Sequence, residues 1–152
     1  MLVACAEPSS PVGWRYPNKS DIKGEWADEY NKKIVPIPYH FSADLNGDGL
    51  IDDAWILIST KKDSDFGLFV FFTQKKGDPK IIEINNLGHP KAPGSHPQRY
   101  AIVLLPPTTV EQGGVKIKFN YSGIDFLQWE NGSSRLFWDK RSNSFMTFLG
   151  SD

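Results

Sequence analysis

The residues best equipped for chemistry lie in one short stretch, Asp44-Leu45-Asn46-Gly47-Asp48-Gly49-Leu50-Ile51-Asp52. Oxygen-bearing side chains at Asp44, Asn46, Asp48 and Asp52 fall at the first, third, fifth and ninth places of a loop. Gly49 at the sixth place permits the sharp turn that such loops need, and Leu50 at the seventh would offer its backbone carbonyl. Hard oxygen donors at this spacing are the chemistry of Ca2+ binding. The Leu50 side chain, not needed as a donor, is free to point inward. The twelfth place, where a helix–loop–helix calcium hand carries a bidentate Glu, is Trp55. The run Ala54-Trp55-Ile56-Leu57-Ile58 is aliphatic and β-branched, so the loop is expected to open a strand rather than a helix. The competing reading of Asn46-Gly47-Asp48-Gly49 is a plain polar turn between strands.

Other reactive groups are sparse. His89 and His96 sit seven residues apart in the stretch Gly88 to Gln98, which carries too many prolines to pair as a strand. Their spacing is not that of a zinc site. A nucleophile elbow, a phosphate-binding Gly-rich loop and a His-Glu-x-x-His helix are all absent from the sequence. A hydrolase would have to assemble its site in space, with His40, His89, His96 and Asp65 as its groups. Gly88 to Gln98 is long for a loop in a compact domain, which makes it a candidate contact surface, with His89, Lys91 and His96 as its polar members. The aromatic-rich C-terminal third adds Trp129, Arg135 and Trp138 as candidate partner-binding groups, since exposed aromatics beside arginine are common interface anchors.

The Asp-x-Asn-x-Asp-Gly-x-x-Asp pattern followed by a strand resembles the calcium loops of FG-GAP and VCBS-type repeats of bacterial secreted proteins. Those families carry several copies and this chain has one, so the resemblance implies the loop and its ion without implying a repeat architecture. Near the start, Leu2-Val3-Ala4-Cys5 resembles a bacterial lipobox, which implies acylation of Cys5 and membrane attachment through a lipid anchor alone. Fewer residues precede Cys5 than a signal peptide needs, so the precursor is expected to begin upstream. Together these features resemble, at the level of class, periplasmic immunity and inhibitor lipoproteins. That likeness implies a non-enzymatic, calcium-binding periplasmic protein with a protein partner such as a secreted toxin or effector. A calcium-dependent cell-wall or carbohydrate-binding module is an alternative that uses the same loop.

The elements that must position these groups read as mostly β. The chain has 152 residues, enough for one core, and 17 basic against 18 acidic residues without a basic cluster, which argues against a nucleic-acid partner. A single cysteine rules out an internal disulfide. Residues 1–17 read as lipobox and tether, and 18–152 as one β-rich domain. Ile22, Trp26, Tyr30 and Ile34 recur every fourth position, predicting an amphipathic helix from Ser20 to about Lys33 with Ser20 as its cap. Beyond it, apolar runs separated by turn residues predict an antiparallel meander of about eight strands: mainly β, or β-rich α+β. Val115-Lys116-Ile117-Lys118-Phe119 alternates, which places one face on the core and the other in water.

Overall fold

A computed structural model describes residues 7–22, 38–85, 87, 97–128 and 132–150. Among them are eleven strands: β1 (Trp14–Arg15), β2 (His40–Ala43), β3 (Asp52–Ser59), β4 (Phe66–Phe72), β5 (Lys80–Ile84), β6 (Tyr100–Leu105), β7 (Thr109–Gln112), β8 (Val115–Lys118), β9 (Gly123–Gln128), β10 (Gly132–Asp139) and β11 (Ser144–Leu149). Every pairing is antiparallel. The fold is mainly β, as its alternating and β-branched runs predict.

The first sheet runs β1-β3-β4-β5, with β2 sharing the β1 edge of β3. The second runs β11-β10-β9-β6, and β7-β8 form a separate hairpin. The two larger sheets face each other as a sandwich around one core. Ala54, Ile56 and Ile58 of β3 and Phe66, Leu68 and Val70 of β4 meet Tyr100, Ile102, Ile124, Phe126 and Leu136 from the other sheet. One margin is stitched: Ile56 donates its N–H to the Tyr39 carbonyl at 2.9 Å and Ile102 donates to that of Pro38 at 2.8 Å. Residues 38 and 39 thereby bridge both sheets.

Neither sheet leaves its second face bare. On the outer face of the first, Trp55, Leu57, Phe69 and Phe71 form a satellite cluster covered by Trp14 and Tyr16. Trp14 meets Phe69 edge-on at 5.1 Å and Tyr16 meets Trp55 at 4.8 Å. This explains why β4 is buried along its whole length. On the outer face of the second, Val110 and Phe119 from the β7-β8 hairpin region cover Phe137 and Phe148, with the Phe119 and Phe137 rings stacked at 4.2 Å.

Three expectations are corrected. The helix expected from Ser20 does not start there: Lys19–Asp21 is a single 3-10 turn, and Ile22 leaves helical geometry at ψ 88°. Its cap is Asn18, whose side chain accepts from Ser20 N–H while the Asp21 carboxylate accepts from Asn18 N–H at 2.7 Å. This reciprocal box closes the turn, and a bidentate ion pair from Arg15 holds Asp21 in place. The rest of the predicted helix, 23–33, lies outside the described residues, as do Trp26 and Tyr30. The strand count rises from about eight to eleven because β1 is only two residues long and β7 was hidden in what reads as loop, although Gly113-Gly114 between two short alternating runs is a hairpin signal. Residues 7–17 are not a free tether, since Trp14, Arg15 and Tyr16 are built into the first sheet and its outer face.

Candidate metal centre

The loop between β2 and β3 is organised from its own side chains. The Asp44 carboxylate reaches across it, Oδ1 accepting from Gly47 N–H at 2.7 Å and Oδ2 from Gly49 N–H at 2.9 Å. Asn46 Oδ1 accepts from Asp48 N–H at 3.2 Å, and Asp48 Oδ1 from Leu50 N–H at 2.8 Å. These local bonds are what Asn and Asp offer in turns. Gly47 and Gly49 take φ of +76° and +83°, the left-handed region that side chains disfavour. Gly47 is needed for a second reason. A Cβ there would lie 2.8 Å from the Tyr121 ring and 3.2 Å from Lys140 Nζ, whereas one on Gly49 would meet open space.

Asp52 anchors the loop to the sandwich. Its side chain is wholly buried. Oδ2 accepts from Leu45 N–H at 2.9 Å and Oδ1 from Thr73 N–H at 2.9 Å, while Thr73 Oγ1 donates to the Ile51 carbonyl at 2.6 Å. Asp52 thus ties the beginning of the loop to the end of β4. Leu45, not Leu50, is the side chain that enters the core; Leu50 is half-buried and Leu45 has no exposed surface.

The carboxylates of Asp44, Asp48 and Asp52 each present an oxygen within 4.8 Å of the others. Burial pushes the Asp52 carboxyl up to about 6, against the opposing pull of its two N–H donors, and the negative charges of Asp48 and Asp44 add to the rise. The donor set can be tested against the ion. Ca2+ holds oxygens at about 2.3–2.6 Å, so two ligand oxygens of one ion lie at most about 5 Å apart. The 4.8 Å cluster meets that limit. A carboxylate oxygen that accepts one N–H keeps a second lone pair for a metal, so the hydrogen bonds do not compete with ligation. The residues fit calcium: Asp44, Asn46, Asp48 and Asp52 by side chain and Leu50 by carbonyl would hold it.

A second polar cluster lies on the outer face of the first sheet. His40 Nε2 and Asp53 Oδ1 are 2.8 Å apart, Ser42 Oγ donates to the same oxygen at 2.6 Å, and the imidazole stacks on Trp55 at 3.9 Å. The His40 bond, first, and the Ser42 bond hold the Asp53 carboxyl below its usual range despite partial burial. A serine, a histidine and an aspartate are present, but the serine proton points to the carboxylate. In hydrolytic relays it points to the imidazole, which takes it as base. Asp53, absent from the sequence-derived residues, is thus the partner of His40, in a cross-strand arrangement that no sequence spacing reveals.

Among the other predicted residues, Arg135 is half-buried on β10 opposite Asp125 of β9. Trp138 is only 6% exposed and packs edge-on against Phe72 and Phe145, so it is a core group rather than a surface anchor. Asp65 is exposed at the end of the β3-β4 turn, where it caps its neighbour's N–H. Cys5, His89, Lys91, His96 and Trp129 lie outside the described residues. No family model matches the chain, and no curated protein or solved structure matches it either.

Proposed function

We propose that this chain is a calcium-binding protein of the bacterial periplasm, anchored through a lipid on Cys5, that acts by binding a protein partner as an inhibitor or immunity protein against an antibacterial effector. The observation that carries the calcium assignment is the convergence of three carboxylates within 4.8 Å, one of them with no exposed surface. Burying an anion costs several kcal/mol unless it is paired, and the side-chain charges nearest Asp52 are two further carboxylates. A divalent cation offsets all three. Because Asp52 also ties Leu45 to Thr73, an ion held here braces the β2-β3 loop against the end of β4, which makes its role structural.

The partner-binding role and the lipid anchor rest on the Leu2-Val3-Ala4-Cys5 sequence and the class-level resemblance it carries. Two measurements test the reading. Calcium should raise the melting temperature of chelator-treated protein, by an increment that corresponds to about 2.7 kcal/mol at a hundredfold excess over Kd; a melt indifferent to calcium refutes the metal assignment. Co-expression in the periplasm with the product of the adjacent gene should protect cells and yield a co-purifying complex. Growth arrest without a complex refutes the inhibitor role and leaves the metal assignment standing.

A further inference from the structure

The calcium loop forms one wall of a cleft of about 260 Å3 at this end of the sandwich. Asn46, Asp48 and Leu50 line it from the loop, and Lys75 and Lys80 line it from the β4-β5 turn and the start of β5. Phe72 and Trp138, both nearly buried, also line it. Neither lysine takes part in an ion pair among the described residues.

The donor count bears on this cleft. Calcium takes six to eight oxygens, and a helix–loop–helix hand closes its shell with a bidentate Glu at the twelfth place. Here the loop offers five donor residues, and the twelfth place is Trp55, whose ring is engaged with His40 and Tyr16 on the outer face of the first sheet. The protein therefore leaves part of the shell to be filled from outside. Three of the five donor residues line the cleft that also holds Lys75 and Lys80. A wall bearing a cation, faced by two ammonium groups, is complementary to an anion.

We propose that this cleft binds a carboxylate group presented by the protein partner, an exposed Asp or Glu side chain. Lys75 and Lys80 pair with it, and it supplies oxygen to the calcium site. The inference rests on the calcium assignment and gives it a recognition face. It makes the partner's affinity dependent on calcium while leaving the fold's stability to the loop's own donors.

Succinate serves as the probe, followed by two-dimensional NMR of the intact protein. Adding calcium alone should shift the Gly47 and Gly49 amides, which reports the metal site by itself. Succinate added to the calcium-loaded protein should then give saturable shifts at Gln74, Lys75, Lys80 and the Trp138 indole. Lys75→Met and Lys80→Met should each weaken that binding roughly tenfold, the loss of one charged hydrogen bond, with the calcium shifts intact. Normal calcium shifts with no saturable succinate response overturn the proposal alone. Absent calcium shifts refute the metal assignment instead, and with it the proposal. Succinate binding of equal strength in calcium-free protein also overturns it, as an anion site made of lysines only.

Discussion

The buried carboxylate of Asp52 makes calcium binding a proton-linked event with a calculable midpoint. In the cation-free protein its carboxyl titrates near 6, against an ordinary value of 3.8, and its side chain has no exposed surface. The difference corresponds to ~3 kcal/mol. For an acid whose folded value is raised, the folded state holds the proton more tightly. Its favourable contribution is present at low pH and is lost as pH rises from 3.8 to about 6. Cation-free protein should therefore lose stability from this site across that window. Calcium reverses the sign, because an ion held by the carboxylate must displace the proton. Below about 6 the apparent Kd should rise about tenfold per pH unit, and above it the Kd should level off. Calorimetric titration at about pH 5 and about pH 7 reads this directly, with an expected ratio near ten. A carboxyl of ordinary acidity would leave the two constants nearly equal. Equal constants would refute the argument that Asp52 is buried, charged and a ligand; a tenfold ratio that survives in Asp52→Asn would place the linked proton elsewhere.

Two further perturbations separate the loop's packing from the charge of the second sheet. Gly47→Ala and Gly49→Ala both force a side chain into left-handed backbone, at about 1–2 kcal/mol each, but only Gly47→Ala drives a Cβ to 2.8 Å from Tyr121. Urea denaturation should show Gly47→Ala as the costlier change, and equal losses would mean that the loop does not pack on Tyr121. Asp125 on β9 is the other carboxyl raised above its usual range, by burial first, with Ser133 and Arg135 opposing; its Oδ1 is buried without a hydrogen-bond partner among the described residues. Its favourable contribution is therefore largest at low pH and is lost as pH rises above 3.8. Asp125→Asn should flatten that part of the stability profile, and an unchanged profile from denaturation across acid pH would show that Asp125 ionises freely.

The parts of this molecule that were legible in its sequence are those where local chemistry and tertiary packing agree. The runs at β3, β4 and β5 are β-branched or aromatic, bounded by turn residues, and they pair consecutively as such runs should. The loop before β3 announces itself because ligand spacing, glycine placement and the strand after it are all encoded within about twelve residues. The helix from Ser20 failed for the converse reason. The fourfold repeat of Ile22, Trp26, Tyr30 and Ile34 is a periodicity without a start signal, and the Asn18–Asp21 box, strengthened by Arg15, closes its own turn first. Ile22 still packs against the core, so the apolar repeat reported burial there and not helix.

What could not be read is whatever depends on two distant segments meeting. Alternation along β10 separates Trp138 from Phe137, yet it cannot say that both faces of the second sheet are covered, because the cover comes from a hairpin earlier in the chain. His40 and Asp53 become partners only because β2 and β3 pair with Ser42 opposite Asp53. The same register decides the chemistry of that cluster. Both Ser42 and His40 reach one carboxylate oxygen, so the aspartate collects the two hydrogen bonds that a relay would have distributed along a chain. Exchange of a single strand register would have moved Asp53 to the core face and Asp52 to the outer one. Asp52 is held against such a slip by Leu45 on one side and Thr73 on the other, and a cation bound beside it would fix that register further. The ion's structural role is then to select which of two adjacent aspartates is buried.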